Sequence, residues 1–499
     1  MTTAAMPAAD VDLFADPVLA DPYPAYRMLR HAGPAVYLPG YRVWVLARDR
    51  EVRHAVGHPE VFAAAPQAGL LGGPTVGEAG GTPTGHGRGG GLAGEGGDPA
   101  RDVRGEPIGR AVPGCGRGLA AEGGDLARWD AGEPAGGAVP GRRPAGEPAV
   151  RRVPGARAWG ESLRAIAAHP GLRTVAGVQA FIADQAEHLA EDLVGHGSFD
   201  AVAELAHRFP LRTIGTLLGL PAESRPDLLT LAEAALQAHG PLDDHTVRAL
   251  LDLEPVFALL VAELAAARAP EPAVLPTPTA SVTAPAARGG GTIPPGTADL
   301  LPGAAVAPPS GDVPDRAEIA HLLRSFALPC VQAVAAGLTG MLWLLATHPE
   351  AWQALRADPS LVPAAVAESL RLETPVQLCG RVTTRDVRVG DAVIPAGERV
   401  LLLLGSANRD PRRWPDPDRF DLRRDPADHL GPGHGLQPTL ASVLATAHLR
   451  AILAALVRRA AGLHLDGHPR RRLAVATRAF ASLPLYAAPG RAGDTGGAG

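Results

Sequence analysis

Apolar and polar positions fall into two rhythms along this chain, and the switches between them outline its elements. Residues 10–65, in "DPYPAYRMLRHAGPAVYLPGYRVWVLARDREVRHAVGHPEVF", predict helix, strand, strand and helix. "AVYLPGYRVWVLA" alternates with period two around a Pro39–Gly40 turn, as a hairpin does, and Asp49 stands where the next helix needs an N-cap. Helical spacing resumes near 159. In "TVAGVQAFIADQAEHLAEDLVGH" the residues Val175, Val178, Phe181, Ile182, Leu189 and Leu193 share one face. "DRAEIAHLLRSFALPCVQAVAAGLTGMLWLLATHPEAWQALRADP" predicts a long apolar helix that runs through Pro329, then a short one. A helix apolar on every side belongs in the centre of a core. The last third mixes both rhythms: "PAAVAESLRLETP" predicts a helix, and "CGRVTTRDVRVGDAVIPAGERVLLLLGSANRD" predicts strands turning at Gly390–Asp391 and Pro395–Ala396–Gly397. His448–Leu463 predicts a closing helix with Leu449, Ile452, Leu453 and Leu456 on its apolar side. The class is mainly α with a small β portion.

Two stretches carry neither rhythm. Residues 66–157 have no Phe or Tyr and one Ile, Ile108, and they repeat: "LAGEGGDPARDVRGEPIGRAVPG" is echoed by "LAAEGGDLARWDAGEPAGGAVPG". These units have no apolar face to stack, so a solenoid is excluded. The segment is either a disordered low-complexity insert or a stretch translated out of frame, and the sequence leaves both open. Residues 269–314 form a Pro/Ala/Gly-rich loop. One folded domain spans 10–490 around these two inserts.

Composition narrows the function classes. The 499 residues carry a net charge of −5, which offers nucleic acid or acidic lipid no attraction. No lysine occurs, while Gly (60) and Pro (50) are abundant, the mark of a GC-rich coding bias. Three scattered cysteines, Cys115, Cys330 and Cys379, argue against a disulfide framework. The start shows no export signal, and the strongly apolar run "VLLLLG" is too short to span a bilayer. A cytoplasmic protein with no membrane association is expected.

The chemistry-bearing motifs cluster in the last third. "ESLR" places Glu368 and Arg371 one helical turn apart; "WPDPDRFDLRR" follows with Arg419; "HLGPGHGLQPTLAS" has glycines at 431, 433 and 435 before a helix start. In this order and spacing they resemble the cytochrome P-450 family of the soluble bacterial kind, over about 10–65 and 159–490. The resemblance implies the P-450 fold. It implies a buried Glu368–Arg371–Arg419 cluster that braces the chain on the proximal side of a haem, with guanidinium forks meeting a carboxylate.

The same resemblance exposes departures. The family loop, Phe-Gly-x-Gly-x-His/Arg-x-Cys-x-Gly, puts Thr439 at the cysteine ligand and Gln437 at a propionate-binding residue. A threonine hydroxyl is a poor substitute for a thiolate, which pushes electron density onto iron. Cys330 lies on the distal helix, far from this role. The family's distal acid and alcohol fall on Gln332 and Val334, neither of which relays a proton. A further propionate position falls on Trp159, while Arg381 is retained at another.

Together these losses imply a scaffold without oxygen chemistry: no catalytic residue, no metal and no haem. The resemblance then points to the haem-less branch, whose members bind and activate deoxysugar glycosyltransferases in polyketide antibiotic biosynthesis, so a glycosyltransferase is the expected partner. The alternatives are a haem-dependent monooxygenase with an atypical ligand, and a decayed gene product.

Overall fold

The computed structural model describes residues 10–64, 167, 169–237, 253–268, 316–425, 428–431 and 440–490. Both low-complexity stretches, 66–157 and 269–314, lie outside these residues, as do Trp159, Gln437 and Thr439.

The N-terminal part holds helices α1 (Asp16–Ala20), α2 (Tyr23–Ala32) and α3 (Asp49–Gly57) and strands β1 (Val36–Leu38), β2 (Val43–Leu46) and β3 (Phe62–Ala64). The hairpin forms at the expected turn, with Arg42 taking the left-handed conformation at φ 52°. Asp49 is not an N-cap. It is the first helical residue, and its carboxylate pairs with Arg53 while its N–H donates to Asp410.

Helices then dominate: α4 (Val175–His196), α5 (Arg208–Leu218), α6 (Arg225–Gln237), α7 (Glu254–Arg268), α8 (Arg316–Leu322), α9 (Leu328–Thr347), α10 (Pro349–Ala357) and α11 (Val362–Leu372). Thr174 caps α4 by accepting from the Gly177 N–H at 3.0 Å. The strand β4 (Ser198–Asp200) leads into a π-helical turn over Ala201–Ala206.

The long apolar helix is not uniform. Between α8 and α9 the backbone widens into a π turn, Leu323–Ala327, where the Leu328 N–H reaches five residues back to the Leu323 carbonyl. Pro329 follows at once. It has no N–H to donate and its ring crowds the preceding turn, and the widened turn lets the helix continue past it.

The C-terminal strands are β5 (Leu378–Thr383), β6 (Val387–Val389), β7 (Ala392–Ile394) and β8 (Arg399–Leu403), followed by the short α12 (Leu404–Ala407). Helix α13 runs Leu440–Arg459, eight residues earlier than the pattern predicts, and the stretch read as its end is the strand β9 (Ala460–Leu465). The chain closes with β10 (Arg470–Arg472), β11 (Ala479–Ser482) and β12 (Pro484–Pro489).

A five-stranded sheet in the order β1-β2-β8-β5-β3 is buried on both faces. Along β2, Val43 and Val45 enter one apolar cluster with α2, while Trp44 and Leu46 enter another with α3, as period-two strands require. The largest cluster joins α4, α5, α9, α11 and α13. Helices α9 and α13 are long and apolar enough to cross a membrane, but most of α9 is buried inside this cluster.

Candidate functional site

The proximal frame is built on α11. Its last turns bring Glu368 and Arg371 together, both completely buried. Arg371 donates to Glu368 through Nε at 2.7 Å and Nη2 at 2.9 Å, a bidentate pair. Its remaining donors reach the carbonyls of Asn408 (2.8 Å), Pro417 (2.8 Å) and Arg419 (3.1 Å). The expected third guanidinium is corrected here. Arg419 serves through its backbone, and its side chain is exposed; Arg424 donates to Glu368 Oε1 at 3.1 Å. The loop over 415–424 is held by Arg424 Nη1 on the Pro415 carbonyl, which sets which arginine faces inward.

Sequence reasoning missed Asn408, which ties this frame to the glycine-rich stretch. Its side-chain carbonyl accepts from the Leu430 N–H at 2.6 Å and its amide donates to Thr374 at 2.9 Å. The chain entering the glycine-rich stretch is therefore fixed by the same residues that satisfy Arg371. Gly431 is required there: a Cβ would stand 2.6 Å from the His429 ring and 3.0 Å from the Leu370 carbonyl.

On the distal side, α9 presents Cys330, Val331, Gln332, Ala333 and Val334, all buried. The Cys330 thiol, fully buried, donates toward the Ala441 carbonyl at 3.6 Å, so α9 touches the first turn of α13 directly. Burial pushes this thiol up to about 12, so it is neutral at physiological pH. Cys379, on β5, is also pushed up by burial. Among the described residues no thiolate is available.

Arg381 extends from β5, half-buried. Its described hydrogen bond is to the neighbouring Gly380 carbonyl at 2.8 Å, and among the described residues no carboxylate pairs with it. A guanidinium held this way suits an anionic group brought from outside.

A family profile described as Cytochrome P-450 matches residues 310–425. The chain is 30% identical over 487 residues to cytochrome P-450 CYP199A2 of Rhodopseudomonas palustris, covering 97% of this chain and 96% of that one. The chain belongs to the cytochrome P-450 family. Cytochrome P-450 monooxygenase PikC of Streptomyces venezuelae is 43% identical over 129 residues, 26% of this P-450 and 31% of PikC. The solved structure of cytochrome P-450 CYP109Q5 from Chondromyces apiculatus has the same fold, with a TM-score of 0.62 and 24% identity, over 97% of this chain and all of that one.

Membership overturns the expectation of no cofactor. The relatives are cytochromes, haem proteins, and the family points to haem. Tested against this structure, the P-450 fits a porphyrin in part. Arg381, without a carboxylate partner among the described residues, offers its charge to a propionate. The iron is less well provided for, because Cys330 is buried and neutral on α9 and Cys379, half-buried on β5, is also pushed up.

Proposed function

We infer that this P-450 is a haem-binding member of the monooxygenase class whose iron is held without a cysteine thiolate. Likeness to a cytochrome P-450 along nearly the whole chain supports the haem, and PikC, a monooxygenase, supports the class. The observation that carries the reading is Arg381: a cation kept half-buried at the family's propionate position, without a carboxylate partner among the described residues. A charge removed from water needs a counter-charge. Bound haem would supply the oxygen chemistry. The chain's own contribution is the frame around Glu368 and Arg371 and the apolar, water-excluding face of α9.

The test is an absorbance spectrum of protein expressed with a haem precursor. A Soret band is expected, and on reduction with carbon monoxide it lacks the thiolate-type red shift. Thr439→Cys is expected to gain that shift. A protein that takes up no haem from a supplemented host would overturn the reading.

A second reading concerns a partner. Gln332 and Val334 replace the family's distal acid and alcohol, which favours a role by contact, as an activator of a deoxysugar glycosyltransferase. A protein that binds only the active conformer of its partner shifts the partner's population. Co-expression with a candidate glycosyltransferase tests this, and unchanged solubility and turnover of the transferase would count against it.

A further inference from the structure

His448 is a deeply buried titratable group that neither the frame nor the distal helix uses. It sits on α13 with 1% of its surface exposed. Its Nδ1–H donates to the Leu444 carbonyl one turn back, at 2.6 Å. A carbonyl can only accept, so this nitrogen carries the proton. In the neutral ring Nε2 is then an acceptor, and the Thr213 hydroxyl of α5 donates to it at 2.6 Å. The Phe209 ring packs against the imidazole, centroids 5.0 Å apart.

A small cavity borders this pair. Its walls come from α4 (Val178, Phe181 and Ile182), from α5 (Ile214 and Leu217, with Thr213) and from Leu444 of α13. Among the described residues no charged or titratable side chain other than His448 faces it. Burial pushes His448 down to about 4 against the opposing hydrogen bond to the Leu444 carbonyl, and no charged neighbour among the described residues acts on it.

We propose that His448 is an acid-sensitive latch joining α13 to α5: a proton taken up at Nε2 loosens these helices from each other. The hydrogen bonds have a second arrangement ready. Thr213 Oγ1 also lies 2.8 Å from the Phe209 carbonyl. On protonation Nε2–H donates to Thr213, whose hydroxyl turns to Phe209. Every donor stays satisfied, so what acid adds is one unmatched positive charge among apolar side chains.

The sign follows from linkage. The unfolded chain, with an ordinary histidine, binds more protons than the folded one between about pH 6.5 and 4, so stability falls as pH falls through that window. The experiment is the unfolding equilibrium of the full chain between pH 7 and 4.5, for the wild type and His448→Leu. The wild type is expected to lose on the order of 50- to 100-fold more in its folding constant than the variant. An equal fall in both would overturn the latch. Should His448→Leu not fold, hydrogen exchange of the wild type decides. Amides of α5 and α13, corrected for intrinsic rates, are expected to lose protection at pH 4.5 before those of the five-stranded sheet. Uniform loss, or none, would refute the proposal.

Discussion

The proximal frame and the distal helix differ in what holds their residues in place. Around Glu368, three side chains share a charge network from which water is nearly excluded, and each donor of Arg371 has an acceptor. Removing one member leaves a buried charge unmatched, so the fold itself depends on the set. Along Cys330–Val334 the opposite holds. Apolar side chains and the one amide of Gln332 fill the helix face, and the fold needs only their volume and polarity. A chain with Gln332 and Val334 where the resemblance sets the family's distal acid and alcohol can therefore still fold as a P-450. Fold signatures and site residues answer to separate constraints, and the survival of one says nothing about the other.

The sharpest way to break this comparison is Arg371→Ala. It strands Glu368 in the core and is expected to lower stability by about 3–5 kcal/mol, read from chemical denaturation. A wild-type midpoint would mean that the frame does not carry the fold. Next in size is the choice between the two nearby arginines. Arg424→Ala removes a charged hydrogen bond to Glu368 and is expected to cost about 1.5–3 kcal/mol. Arg419→Ala leaves its carbonyl in place and should stay within about 0.5 kcal/mol; equal costs for the two would restore Arg419 to the cluster. A smaller effect than that of Arg371→Ala belongs to the distal helix. Val334→Thr keeps the shape, and its hydroxyl has a helix carbonyl to meet, as Thr339 meets Ala335 at 3.1 Å. Burying the hydroxyl costs about 1–3 kcal/mol and that hydrogen bond returns part of it, so a loss of about 1–2 kcal/mol is expected in thermal melts. A loss comparable to that of Arg371→Ala would erase the contrast between the two regions.

Much of the architecture was legible because it rests on local pattern. Period-two alternation marked β1 and β2, and Gly390 and Gly397 marked turns they occupy at φ 60° and 82°. The start of α13 was half legible: the glycine-rich stretch announced a helix after it, but the apolar spacing was read only from His448, and packing against α4 and α9 makes Leu440–Ala447 part of the same helix. The π turn before Pro329 left no signal except the proline itself.

By itself, the sequence determined which side chains the resemblance sets against the family's functional positions: Gln332, Val334, Arg381, Gln437 and Thr439. It also determined the membership that makes those departures meaningful, since identity at a position is a property of the chain alone. Only the tertiary structure decided who meets whom. Glu368 chose Arg424 over Arg419 because a loop's hydrogen bonds set which arginine turns inward. Thr213 met His448 across 235 positions because two helices cross there. Cys330 closed on Ala441 because α9 and α13 pack in direct contact. Such pairings depend on the register between distant elements, a quantity that no local pattern carries.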